Sequence, residues 1–128
     1  MIQQLRIYCV AADRRTARSE DYEIFERNKV AFHARFRDHA MRIMRKYGFE
    51  VLALWEAKTD RRTEFVYLLS WPNQASKEAA WHDFLADPEW KEIKRATNAE
   101  YGDLVGEIED RVLMSTEYSP RPFVSLTR

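Results

Sequence analysis

Apolar and polar positions alternate along residues 1–10. Leu5 and Ile7 fall on one side, and Gln4, Arg6 and Tyr8 on the other. A period of two marks a half-buried strand. Residues 12–22 (ADRRTARSEDY) hold charges and small polar groups and predict an exposed loop. The period then lengthens. Phe25, Phe32, Phe36, Ile43 and Tyr47 recur at steps of four and seven, with Arg27, Lys29, Arg35, Arg37 and Arg45 elsewhere, which predicts an amphipathic helix from Glu23 to Tyr47. Gly48 follows where a left-handed C-cap wants a residue without Cβ.

Alternation resumes over residues 49–58 and 64–71, on either side of the polar turn Thr59-Asp60-Arg61-Arg62-Thr63, and so predicts a hairpin. Asn73 is placed to cap a helix over Gln74–Ala86. Asp87 followed by Pro88 repeats the start signal, for a short helix to about Asn98. Residues 104–116 alternate again as a fourth strand, and residues 119–128, with Pro120 and Pro122, form a tail that needs a neighbour to order it. The order β-α-β-β-α-(α)-β is the ferredoxin-like arrangement of the α+β class, in one domain over residues 1–118.

Sorting the strands by alternation separates two sets of side chains. One is aliphatic: Leu5, Ile7, Leu52, Leu54, Val66, Leu68, Ile108 and Val112. The other mixes rings and charges: Arg6, Tyr8, Val51, Trp55, Phe65, Tyr67, Glu107, Glu109 and Arg111. Helices are expected over the aliphatic set, because a close-packed layer excludes unpaired polar groups. The mixed set then needs another cover, since each large ring buries about 150–250 Å² when enclosed. A second copy of the chain, sheet facing sheet around a barrel-like space, supplies it; the chain's own loops and tail are the alternative.

Composition narrows the function classes. The chain has 128 residues, 45% hydrophobic and 13% aromatic, so it can bury a core. Its 21 Lys+Arg balance 21 Asp+Glu, whereas a nucleic-acid binder usually carries a basic excess on one face. The single cysteine, Cys9, supplies neither an internal disulfide nor a cysteine-rich metal cage. No run approaches the roughly 20 apolar residues of a membrane span, and residues 1–15 lack the pattern of a secretory signal. A cytoplasmic protein without integral membrane association is the expectation.

Four short motifs, taken together, carry a resemblance. Gln4-Leu5-Arg6-Ile7-Tyr8, Leu54-Trp55-Glu56, Tyr67-Leu68-Leu69-Ser70-Trp71 and Asp87-Pro88-Glu89-Trp90, in this order and spacing, resemble the NIPSNAP family over residues 1–8 and 23–118. The resemblance implies the dimeric α+β barrel fold. It implies little chemistry, because the family's activities are poorly defined and related barrels include cofactor-independent monooxygenases, haem-degrading enzymes and stress-responsive proteins. Two departures stand out: residues 9–22 form a longer, charged connection than the family's, and Lys58-Thr59-Asp60-Arg61-Arg62 replaces its Gly and Asn hairpin positions.

For chemistry, the three histidines come first. His33 and His39 lie six apart, whereas helical metal pairs use three or four, so no metal site is expected. His39 shares the stripe of Phe32, Phe36 and Ile43 and is the one catalytic candidate; otherwise it is a partly buried residue bonded to a carboxylate or carbonyl. His82 lies four after Glu78, a spacing that suits an ordinary surface pair. Tyr8, Trp55 and Tyr67 are expected to line an aromatic pocket, with Arg6 or Arg111 meeting an anionic group; the bland alternative has them filling a dimer core, the arginines neutralised by Glu107 and Glu109. Trp71, Trp81 and Trp90 are expected as packing anchors, and Cys9 as a small half-buried residue. With three glycines there is no phosphate-cradling loop, and no cofactor is called for.

Three functions remain open. The first is a homodimer holding a small apolar or anionic ligand in the barrel interior. The second is a cofactor-independent oxygenase or isomerase, with Trp55 and Tyr67 positioning an aromatic substrate and His39 moving a proton. The third is a protein-binding module using residues 9–22 and the tail.

Overall fold

A computed structural model describes residues 1–10, 19–58 and 63–120, with side chains from Arg27 onward in the second stretch. The elements are β1 (Ile2–Cys9), α1 (Ser19–Arg35), a π-helical turn (Phe36–Ala40), α2 (Met41–Lys46), β2 (Glu50–Lys58), β3 (Thr63–Trp71), α3 (Gln74–Ala86), α4 (Pro88–Tyr101) and β4 (Ile108–Leu113). They build an antiparallel sheet of order β2-β3-β1-β4, the expected ferredoxin-like topology. Among the described residues no helix is long and apolar enough to cross a membrane.

Local signals act where the sequence put them. Gly48 stops the first helical run at φ +85°, a backbone conformation that costs a Cβ-bearing residue energy. Asn73 Oδ1 accepts from the Ser76 N–H at 2.8 Å, and Asp87 Oδ1 from the Trp90 N–H at 2.9 Å, so both predicted caps form. Two boundaries differ. Residues 19–22, expected in the loop, open α1, and the last strand is Ile108–Leu113, shorter than predicted. The remainder of that loop (residues 11–18), the side chain of Phe25, the hairpin turn (59–62) and tail residues 121–128 lie outside the described residues.

The sheet faces overturn the expected sorting. Register places Tyr8 opposite Phe65, Arg6 opposite Tyr67, Gln4 opposite Leu69 and Ile2 opposite Trp71. This is the face under the helices. Phe32 meets Tyr8 and Phe65 edge-on, with ring centroids 6.2 and 5.0 Å apart, and Phe36 meets Phe65 and Tyr67 at 4.8 and 5.2 Å. The helix layer is itself aromatic, so its rings mesh with rings on the sheet, and the aromatic face is the buried one. The opposite face carries Leu5, Ile7, Val66 and Leu68, and no ring contact joins it to a described helix.

The edge strands also exchange members between the two sets. A bulge between Val51 and Ala53 shifts β2, so that Leu54 lies opposite Tyr67 on the helix side and Trp55 opposite Val66 on the other. In β4, Ile108 and Val112 pair with Tyr8 and Gln4 on the helix side, while Glu109 and Arg111 pair with Ile7 and Leu5.

Candidate functional site

The aromatic layer does not close completely against the sheet. Between α1, its π-turn, α3, α4 and the β1–β4 side of the sheet lies a cavity of about 210 Å³. Its apolar wall includes Phe36, Met44, Phe84 and Trp90, and its polar lining is Arg6, Tyr8, Arg35, Trp81, Lys94, Asn98 and Asp103. At roughly 30 Å³ per water, the volume equals about seven waters, enough for a one-ring molecule.

A chain of polar side chains runs along its floor. Arg6 Nη2 donates to the Tyr8 hydroxyl at 3.0 Å, and that hydroxyl lies 2.6 Å from the Tyr67 hydroxyl. Tyr67 has no exposed surface, and burial, reinforced by the Tyr8 phenol, pushes its hydroxyl well above the ordinary tyrosine range. Arg6 stacks on Trp81, 4.3 Å from the ring centroid, and its Nη1 reaches Asp110 Oδ2 at 2.6 Å. Burial opposes its charge, but Tyr8, Tyr67 and Asp110 outweigh that and keep it firmly protonated. Gln4 braces the same corner. Its Oε1 accepts from the indole N–H groups of Trp71 (2.9 Å) and Trp81 (2.8 Å), and its Nε2 donates to Asp110 at 2.6 Å.

Arg35 and Lys94 occupy the far wall. Arg35 is 9% exposed; Nη1 donates to Asn98 Oδ1 at 3.2 Å and the guanidinium lies 5.5 Å from the Trp90 centroid. Burial pushes its pKa down. Lys94 Nζ stands 5.8 Å from the same ring, and its pKa is lowered first by burial and then by the charges of Arg35 and Lys91.

The predicted site residues separate. Arg6, Tyr8 and Tyr67 converge, with Arg6 and Tyr8 on the cavity wall. Trp55 (50% exposed), Glu109 and Arg111 lie on the opposite face of the sheet, where Arg111 pairs with Glu109 at 3.3 Å. They do not share a pocket with the others, because β2 and β4 run in the register given above. Arg6 is neutralised by Asp110, not by Glu107 or Glu109.

His39 lies outside the cavity too. It lines a shallow groove with Ile93 and Tyr101 and approaches Arg42 Nη2 at 3.4 Å, so it is not placed to move a proton inside. His33 contacts Glu56 at 2.8 Å; burial raises that carboxyl, but His33 and Lys29 together hold it below its usual range. His82 contacts Asp83 at 3.3 Å, while Glu78 accepts from Gln74. Trp71 and Trp90 are buried anchors as expected, and Cys9 is half-buried at the end of β1. Sequence reasoning missed Arg35, Lys94 and Asn98. Arg35 carried a signal, since it lies three residues after Phe32 and beside Phe36, on the apolar stripe and not off it.

Comparison with known proteins fits this architecture. No curated protein sequence matches the chain. A NIPSNAP family protein from Agrobacterium tumefaciens superposes with a TM-score of 0.63 at 15% identity, over 93% of this chain and 96% of that one. An uncharacterised NIPSNAP domain protein from Burkholderia xenovorans gives 0.61 at 15% identity, over 94% and 100%. The ActVA-Orf6 monooxygenase of Streptomyces coelicolor, solved in complex with nanaomycin D, gives 0.50 at 14%, over 95% and 92%. The NIPSNAP family model matches residues 18–120. This chain belongs to the NIPSNAP family.

Proposed function

We propose that the protein is a homodimer whose subunits each bind a small, largely apolar molecule in the cavity between helices and sheet. The cavity itself carries this reading: rings and aliphatic groups make most of its wall, and a few polar groups converge on it, which is the usual make-up of a ligand site. The binding space is thus under the helices of each subunit, not between two aromatic sheet faces. The aliphatic face, with Leu5, Ile7, Val66 and half-exposed Trp55, is the surface on which a second copy would pack. The monooxygenase solved with nanaomycin D supports a ligand on this fold.

Catalysis is the second reading. Among the described residues the cavity has no histidine on its wall, and Tyr8, Lys94 and Asp103 are the groups left to carry a proton. Binding is therefore favoured over turnover.

Native mass spectrometry tests the assembly: a mass of two chains is expected, and a monomer at micromolar concentration overturns the dimer. Titration calorimetry tests the pocket, with a panel of one-ring carboxylates and their matched primary alcohols, such as 3-phenylpropanoate and 3-phenylpropan-1-ol. Binding by members of the panel is expected, together with its loss in Leu85→Trp, which plugs the cavity wall at a half-exposed position. Failure of every compound to bind, or binding unaffected by the plug, overturns the pocket.

A further inference from the structure

Of the three cations on the cavity wall, Arg6, Arg35 and Lys94, one has a carboxylate, as do two cations on the helices around it. Arg6 has Asp110, Arg42 has Glu89 at 2.8 Å, and Lys46 has Asp87 at 3.3 Å. Arg35 is the exception that is also buried. It is 9% exposed, its hydrogen-bond partner is the neutral amide of Asn98, and among the described residues no carboxylate pairs with it. A guanidinium has five N–H donors in a planar fork, so most of this one's capacity is unassigned. Lys94 shares the wall and has no ion pair of its own among the described residues. The carboxylate of Asp103 lines the same cavity, but it is exposed and forms no ion pair with either cation. Even with Asp103 counted, the wall keeps a net positive charge.

Burying such a charge without a counter-ion is costly, and truly buried arginines are almost always paired. Two cations held against one cavity also repel each other, which adds to burial in depressing Lys94. An anion between them would relieve both costs. Resting on the pocket reading above, we infer that the ligand is a small aromatic carboxylate: its ring against Phe36, Phe84 and Trp90, its carboxylate taken by the fork of Arg35 with Lys94 as the second charge and Asn98 holding the fork in place. A planar carboxylate matches a guanidinium bidentately, and the volume of about 210 Å³ leaves little room for a larger anionic group beside a ring.

The calorimetric panel separates this inference from the pocket itself. In the wild-type protein each carboxylate is expected to bind about tenfold to hundredfold more tightly than its alcohol, the range of a hydrogen-bonded charge. Arg35→Gln should remove that preference while leaving alcohol affinity within about threefold, so the alcohol reports whether the variant still has an intact cavity. Lys94→Gln, at a more exposed position, should reduce the preference several-fold and guards against a poorly folded Arg35 variant. Alcohols binding as tightly as carboxylates overturn the anion and leave the pocket standing. A carboxylate preference that survives both substitutions overturns the assignment to these cations. Binding of neither class removes the pocket and the inference with it.

Discussion

The two faces of this sheet come from the same strands, yet the helix-covered one is buried, while Leu5, Ile7, Val66 and Trp55 on the other keep part of their surface exposed. Under the helices, Tyr8, Phe65, Tyr67 and Trp71 mesh with Phe32, Phe36 and Phe49 through ring contacts, and Gln4 satisfies two indole N–H groups at once. On the other side, Leu5, Ile7 and Val66 present branched aliphatic groups beside Glu109 and Arg111. Aromatic side chains carry large area and edge-on geometry, but flat rings pack with gaps, and one such gap is the cavity. Small branched side chains tile a pleated surface smoothly and suit contact with an identical surface. The lesson is that polarity does not tell which sheet face the helices take; shape-matching to the helices does.

The sharpest break between the faces is in how their stability depends on concentration. Trp71→Ala removes a side chain that is 2% exposed within the helix-covered layer and should cost about 3–5 kcal/mol in urea unfolding at any protein concentration. Ile7→Lys on the other face is expected to halve the mass seen by native mass spectrometry, with a loss of stability that shrinks on dilution of the wild type used for comparison. An unchanged dimer would move the interface off this face. Gln4→Leu comes next. It leaves the N–H groups of Trp71 and Trp81 without an acceptor, each worth about 1–3 kcal/mol, so a loss on the order of 3 kcal/mol is expected, with a change in tryptophan emission. Tyr67→Phe deletes one hydroxyl of the phenol pair while Tyr8 keeps Arg6. About 0.5–1.5 kcal/mol should go, measured by the same unfolding midpoints.

Most of the fold was legible because its signals are local. Asn73, Asp87-Pro88 and Gly48 act within a turn of chain, and each element they bound was predicted to within a few residues, β4 apart. In the candidate site, alternation put Arg6, Tyr8 and Tyr67 on one face, and the simple register of the two central strands, β1 and β3, brings them together. Trp55 was misplaced because a bulge at Val51/Ala53 changes the parity of β2, and parity after a bulge is not written in alternation. Glu109 and Arg111 lie on the other face for a related reason, since β4 pairs with β1 from the far end of the chain. His39 sits on the π-helical turn, where the angular step differs from the 100° that its assignment to the apolar stripe assumed. Arg35 looked like one charge among several on a basic helix; its place near Phe32 was the one signal, and the neighbouring α4, with Asn98 and Trp90, shows what it meets.

The remaining expected effect concerns a residue on neither face. Asp87 joins α3 to α4, and its carboxyl is held down to about 2, chiefly by the Tyr47 hydroxyl, which donates at 2.6 Å, then by the Trp90 N–H, with Lys46 adding to both against the opposing pull of burial. In the unfolded chain an aspartate titrates near ~3.9. A carboxyl depressed in the folded state contributes its stabilisation above the unfolded value and loses it as pH falls through the folded one. The contribution should therefore be complete at neutral pH, decline between about pH 4 and 2, and vanish below. Asp87→Asn keeps a side chain able to cap α4 but removes the charge, so it isolates this term from the cap. Urea midpoints of the two proteins should differ at pH 7 and draw together toward pH 2. Absence of a gap at pH 7 would mean that the cap geometry, which Asn retains, and not the ionised carboxylate, is what Asp87 contributes at this junction.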